Sequence, residues 1–459
     1  MKRLSKYIVI AAVAIGLSSC GVYRTFQTPE VEATNVTSVD HISGIQMLLP
    51  DTSLVVVPSW GEYFTDPQLR EYIAQALESN SDLQIARLNI DQAQRGLKSA
   101  RLAYLPTIAF TPEGTISGIA GGTSVKTYTL PITAGWELDL FGRNYNKKHQ
   151  ALSVVEQTRE AVRLAQTQLV AAVATNYYAL ILADEQLRVA NKSLAIINET
   201  LEVQKSLKEV GMQTQLSVEQ TAASLKSFEL TIKDLEKSVL LIENNLCLLL
   251  NMSPTKLLRA ESISYAAPLT EAISLSALSS RPDVRYAEAQ LAQSFYGESY
   301  ARSSLYPSIS LGGSVGWTNY YSVILDPAEF VLSALASLTQ PIFAANVNRA
   351  NLANAMDIYE QNLIAFQKSL LSAGKEVNDA LIEIENSSAK ELLSQEQIAR
   401  LEAAVSISKD LMTTGKINYL EVLVAQNSYL TAQLDGAAIR YANAVAQINL
   451  YKSLGGGAE

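Results

Sequence analysis

Histidine and cysteine are nearly missing from this chain: His41, His149, Cys20 and Cys247 are all it has in 459 residues. A conventional zinc site or a Cys/His dyad has almost no material, and no nucleophile elbow or metal-ligand cluster stands out. An envelope hydrolase is therefore the weakest reading, with no catalytic residue, metal or bound cofactor expected. Basic clusters are missing too. The formal charge is −9, and removal of an N-terminal segment carrying Lys2, Arg3 and Lys6 would take it to −12, which argues against nucleic acid or an anionic membrane face as partner. What the chain has in plenty is apolar residues, at 48%, enough to bury extensive surface in two or three domains.

Those residues are arranged periodically. From Asn144 to Lys208, Leu152, Val173, Leu180, Leu187, Leu194 and Leu201 share one heptad position, and Val155, Val162, Leu169, Ala183, Ala190 and Ile197 follow three residues later. No Pro or Gly interrupts this helix, which at 1.5 Å per residue reaches roughly 95 Å, more than a globular domain of this size needs.

Ahead of it, residues 1–19 have the parts of a signal peptide: basic Met1–Lys6, apolar Tyr7–Leu17, then Leu17-Ser18-Ser19-Cys20. Their apolar run is too short to span a bilayer. That ending resembles the lipobox of bacterial lipoproteins, which implies cleavage before Cys20 and lipid on its thiol; the alternative is an unmodified Cys in a cleaved leader. Residues 20–60 read as a polar, Pro-punctuated tether. Asp66-Pro67 then starts a short helix, and a second runs from Asp82 to about Tyr104. Cys247, inside Leu246-Cys247-Leu248, reads as a small core hydrophobe.

After Pro106 the period changes to two. Ile108, Phe110 and Ile116 fall on one side and Ala109, Thr111, Glu113, Thr115 and Ser117 on the other. Tyr128, Leu130, Ile132, Ala134, Trp136, Leu138 and Leu140 then alternate with small or polar residues. A soluble two-faced sheet would also alternate, but a bilayer-length apolar row bearing Tyr128 and Trp136 favours a membrane barrel.

The whole pattern occurs twice. Asp82, Ala86, Ala100, Arg101, Pro106 and Ile108 return 201 residues later as Asp283, Ala287, Ala301, Arg302, Pro307 and Ile309. Phe141, Ala151 and Asn176 match Phe343, Ala353 and Asn378 at 202, and Gly211, Leu216 and Val218 match Gly415, Leu420 and Val422 at 204. The expected order is a first repeat at 61–254, a link at 255–280, a second repeat at 281–454 and a tail at 455–459, each repeat being helix, two strands, long helix, reversal and returning helix. The second strand pair is expected at Ser308–Trp317 and about Phe330–Ile342. Met356, Leu363, Leu370, Val377, Ile384, Ile398, Val405 and Met412 form the second heptad row. Four strands cannot close a barrel, and an open edge in hydrocarbon costs several kcal/mol per unsatisfied backbone group, so copies must pool their strands.

Particular strings then resemble a known family. Trp136-Glu137-Leu138-Asp139-Leu140-Phe141-Gly142-Arg143, Phe64-Thr65-Asp66-Pro67-Gln68-Leu69, and the paired Ala103-Tyr104-Leu105-Pro106 and Ser304-Leu305-Tyr306-Pro307 resemble outer-membrane efflux proteins of the TolC and OprM type, closest to the lipid-anchored NodT branch. The resemblance implies a mainly α fold with a transmembrane β part: long coiled-coil-like helices in a periplasmic α-barrel, and four strands per chain in a trimeric twelve-stranded outer-membrane barrel. It further implies a homotrimer anchored by lipid in the outer membrane, a periplasmic adaptor, and an inner-membrane pump of the RND type. Gly211, Met212, Gln213 and Thr214, with Gly415, Lys416, Ile417 and Asn418, occupy the family's adaptor-docking tips, Met212 and Ile417 being expected to be exposed; each Gly could instead merely cap its helix. Glu421 falls where the family places an acidic aperture ring, sensitive to pH and cations, although it could be a solvated helix residue. Val424 and Ser217 stand where some members carry further Asp, which implies a less acidic gate. The competing function is a lipid-anchored periplasmic coiled-coil protein with a soluble sheet.

Overall fold

The computed structural model describes residues 23–29, 58–118, 122, 125–264, 278–319, 329–414, 416–417 and 419–456. Cys20, His41, Gly415 and Asn418 lie outside them. Leu88–Glu160 and Arg285–Lys368, with the described N-terminal residues, make one compact unit; Ala161–Val284, Ser369–Glu459 and the described residues before Leu88 make the other. Each unit draws on both sequence repeats.

The elements follow in the order α1 (Pro67–Ser79), α2 (Ser81–Leu102), β1 (Thr107–Phe110), β2 (Glu113–Ser117), β3 (Val125–Leu138), α3 (Arg143–Glu209) and α4 (Gln215–Leu249). The second series is α5 (Pro282–Ser303), β4 (Ser308–Thr318), β5 (Glu329–Thr339), α6 (Val347–Thr413) and α7 (Tyr419–Ser453). Among the described residues no helix is long and apolar enough to cross a membrane.

In the first unit one antiparallel sheet runs β1–β3–β4–β5, with β2 also on β3. β1 and β2 are two halves of one strand: they keep a single register, Thr107 opposite Gly135 and Glu113 opposite Thr129, and Thr111 N still donates to Pro131 O between them at 3.2 Å. The break falls at Pro112, which has no N–H to give. Four strand paths therefore remain. Pairing of Leu130 with Trp317, Ile132 with Val315, Trp136 with Leu311 and Leu138 with Ile309 gathers the apolar positions on one face, where Phe330, Leu332 and Leu338 of β5 continue the row. Thr133, Ser314 and Ser333 line the opposite face, and the Ser314–Ser333 and Ser310–Ser337 hydroxyls meet at 2.7 Å.

Helix ends and strand registers fix how the repeats correspond. α2 and α5 are displaced by 201 residues at both ends, as are the start of β1 and the start of β4; β3 and β5 start 204 apart, and α3/α6 and α4/α7 keep 204 at both ends. The three extra residues thus sit in the second hairpin connection, 319–328 against 118–124. This corrects the displacement of 202 read from Phe141, Ala151 and Asn176. Gly142, at φ +69°, corresponds to Asn346, at φ +65°. The Asn144 Nδ2–Ala103 O bond (3.4 Å) returns as Asn348 Nδ2–Ser304 O (3.3 Å), and Trp136 Nε1–Tyr104 O (2.9 Å) as Gln340 Nε2–Leu305 O (3.2 Å). Matches at 202 arise because apolar and small residues recur often enough in heptad helices to align by chance.

In the second unit Asp66 caps α1, accepting from Gln68 N at 2.8 Å and Leu69 N at 3.3 Å, with Pro67 in the first turn. Its other oxygen accepts the Tyr177 hydroxyl at 2.8 Å, tying α1 to α3, and burial holds that phenol above its ordinary pKa. Tyr63 stacks on Tyr451 at 4.8 Å. Arg259 grips Asp184 at 2.6 and 2.9 Å and also pairs with Glu243, so the link between repeats is held to both α3 and α4. Along α3, Val155, Val162, Leu169, Ala183, Ala190 and Ile197 are all buried; of the α6 heptad row only Val377 and Val405 are. Cys247 is buried, as its apolar surroundings predict.

Candidate functional site

The corner from β3 into α3 gives each residue of the Trp136–Arg143 string a physical task. Trp136 donates to Tyr104 O, Glu137 pairs with Arg143 at 3.3 Å, and Asp139 accepts from Asn144 N (3.1 Å) and Tyr145 N (2.8 Å), capping the helix. Phe141 stacks on Tyr306 with centroids 5.2 Å apart, and Gly142 supplies the left-handed turn. The Arg143 guanidinium lies 5.6 Å from the Tyr300 ring.

Onto this corner docks the N-terminal strap, whose contacts sequence reading missed because single aromatics in a polar tether carry no period. Tyr23 donates to Asp139 O at 2.6 Å and packs on Tyr145; Phe26 N donates to the Tyr296 hydroxyl at 3.2 Å and its ring meets Phe295. Arg24 lies over Phe295 and Thr28 pairs with Glu288. His149 sits between Tyr145 and Tyr296, with Nδ1 2.8 Å from Tyr145 O. Phe26, His149 and Tyr296 line a 340 Å³ pocket with Arg285, Glu288 and Glu156. No group of three or more His, Cys, Asp or Glu placed to hold a metal occurs among the described residues.

At the first reversal, Gly211 takes φ +80°, Gly211 N donates to Lys208 O and Met212 N to Leu207 O, both at 2.9 Å. This Schellman arrangement satisfies the last carbonyls of α3. Thr214 then caps α4 through Ser217 N at 3.3 Å, and Ser217 also donates to Gln213 Oε1 at 3.1 Å. Met212 is 72% exposed, and Val210 and Leu216, which the sequence reading did not single out, are exposed with it. Beneath them Ile197, Leu201, Val218, Leu225 and Phe228 form a buried cluster.

At the second reversal Lys416 N donates to Leu411 O at 3.0 Å and Lys416 is exposed. Ile417 departs from expectation: it is half-buried, packed with Met412 against Val422 and Leu423, because the turn folds its one large apolar side chain back onto α7. Glu421 is exposed in the first turn of α7, where the helix N-terminus favours a carboxylate. Leu420 and Val424 are exposed beside it. Gln204 on α3 and Gln426 on α7 are buried with both amide atoms unpartnered.

The sequence model described as outer membrane efflux protein matches residues 72–252 and again 274–456. The cation efflux system protein CusC of Escherichia coli O157:H7 is 27% identical over 452 residues, covering 97% of both chains. The probable outer membrane lipoprotein SilC of Salmonella typhimurium is 27% identical over 406 residues, covering 87% of this chain and 88% of that relative. A crystal structure of CusC superposes with a TM-score of 0.83 at 26% identity, over 95% of this chain and 99% of the other.

Proposed function

The chain belongs to the outer membrane efflux protein family, and from that premise we propose how its outer-membrane exit duct is assembled and used. Three copies pool their strands into a twelve-stranded barrel and conduct cargo passively, without catalysis, from a periplasmic adaptor and an inner-membrane pump of the RND type. The observation that carries the reading is the sheet. Its apolar row from Ile108 through Trp136 to Phe330 faces outward uncovered, its other face is small and polar, and both edges lack partners in the single chain. Such a sheet is a poor soluble structure and a good fraction of a barrel. The partly bare heptad row of α6 also calls for a neighbouring copy.

Cys20 carries the lipid in this reading. Tyr23 is bound at the end of β3, and three residues span at most about 11 Å, so acyl chains would enter the bilayer beside the Trp136 end of the sheet. Gly211, Met212, Gln213 and Thr214, with Gly415, Lys416, Ile417 and Asn418, meet the adaptor, and Glu421 rings the aperture. Relatives of this fold carry names as different as cation efflux system protein and toluene efflux pump outer membrane protein. Cargo choice is accordingly assigned to the pump rather than the duct.

Membrane extraction tests the reading. Cys20→Ser protein, without its acyl chains, should still need detergent to leave the outer membrane. Release by a carbonate or high-salt wash would favour the lipid-anchored coiled-coil alternative.

A further inference from the structure

Within one chain, β3 of the first repeat pairs with β4 of the second. β5 is the counterpart of β3, displaced by 204, and the β1–β2 strand is the counterpart of β4, displaced by 201. β3 therefore has a partner on both edges, while β5 has β4 on one edge and nothing on the other.

We propose that the free edge of β5 pairs with the β1–β2 edge of a second copy in the register that β3 and β4 already show. This rests on the duct reading above and specifies its subunit joint. Carrying Leu138 opposite Ile309 across the repeat puts Ile342 opposite Ile108 of the next copy. Gly135 opposite Gly312 becomes Thr339 opposite Thr111, Thr133 opposite Ser314 becomes Ser337 opposite Glu113, and Thr129 opposite Thr318 becomes Ser333 opposite Ser117.

Four observations support it. First, β3 extends to Leu138 but β5 stops at Thr339, short of the counterpart Ile342. The last residues of β3, Trp136 to Leu138, pair only with β4, since β1 reaches no further than Gly135; the matching stretch of β5 ends where its partner is missing. Second, Ile342 is 97% exposed and Ile108 72%, whereas Leu138 is half-buried against β4. Third, the register keeps both faces intact, with Ile342 and Ile108 in the apolar row and Ser337, Glu113, Ser333 and Ser117 in the polar one. A slip of one residue would mix them. Fourth, Gln340 already grips Leu305 O as Trp136 grips Tyr104 O, so the β5 corner holds the repeat's conformation without its neighbour.

Pairing β5 with β5 of a second copy would leave both β1–β2 edges open in hydrocarbon. A head-to-tail joint repeated around an axis leaves none.

The test uses the full-length chain with paired cysteines on the polar face. Directly opposed residues are about 5 Å apart at Cβ, within reach of a disulfide after small adjustment, whereas a shift of two residues adds about 7 Å along the strand. Under mild oxidant, Ser333→Cys with Ser117→Cys, and Thr339→Cys with Thr111→Cys, should link copies on a non-reducing gel at least about tenfold more than Thr339→Cys with Ala109→Cys or with Glu113→Cys. Each single variant serves as background for the native Cys20 and Cys247. Preferential linkage of a shifted pair, or no linkage in a protein that still runs as a trimer in detergent, would overturn the register and leave the trimer standing. A monomer would remove both.

Discussion

At the end of α3, Met212 N donates to Leu207 O; at the end of α6, Lys416 N donates to Leu411 O, the same bond 204 residues on. The two reversals share this backbone and differ in what they show to the outside. The first exposes Val210, Met212 and Leu216 above a five-residue buried cluster. The second exposes Lys416, folds Ile417 back onto Val422 and Leu423, and rests on that two-residue cluster alone. A duplicated backbone has thus been given one tip with an apolar surface suited to a partner and one whose apolar residues serve its own turn. Firm support under the docking tip and lighter support under the other fits a division in which the second reversal, next to Glu421, is the one that moves.

The sharpest break in that comparison is beneath the tips. Phe228→Ala, in the first cluster, should destabilise by about 3–5 kcal/mol, and Leu423→Ala, in the second, by about 2 kcal/mol. Thermal unfolding of the detergent-solubilised protein by circular dichroism reads both, and equal losses would end the claim of unequal support. Gln204→Leu works in the other direction. A buried amide with neither atom partnered costs about 1–3 kcal/mol, so an apolar side chain of similar size should raise stability by up to that amount. An unchanged or lowered melting temperature would mean that Gln204 finds partners in the assembled protein.

At the surface, Met212→Asp should weaken adaptor crosslinking about tenfold, worth about 1.4 kcal/mol, with trimer stability unchanged. Ile417→Asp should weaken it too, but by loosening the turn, and so should also lower the melting temperature. If both variants lose crosslinking with identical stability, Ile417 is a contact residue and the contrast between the tips fails.

Much of this was legible in the sequence. The heptads placed α3 within one residue at each end, and strict alternation from Tyr128 placed the apolar face of β3, because period and burial are tightly bound in long regular elements. Asp66 and Gly211 were legible because a cap and a left-handed turn need those residue types. What stayed hidden depended on contacts between distant residues. The displacement of 202 could not be corrected without hydrogen bonds such as Asn348 to Ser304, and Ile417 looked like a free tip residue until Met412 and Leu423 were seen against it. Val210 and Leu216 were missed because each fits a helix pattern. Only the end of the rod leaves them bare.

The smallest expected change in stability, and the finest probe of the second tip, is Glu421→Ala. The side chain is exposed in the first turn of α7, so its loss should cost at most about 1 kcal/mol of interaction with the helix N-terminus. Its effect on conduction should be larger in proportion. In a trimer each copy contributes one Glu421, and three carboxylates around an axis concentrate cations and repel one another. Ser217, the first-repeat counterpart, adds no charge, so the belt would rest on Glu421 alone. Single-channel recording in a planar bilayer should therefore show higher conductance or weaker block by multivalent cations in Glu421→Ala, with a melting temperature close to that of the parent. If conductance and block are both unchanged, Glu421 does not line the aperture, and the second tip is distinguished from the first only by how its apolar residues pack.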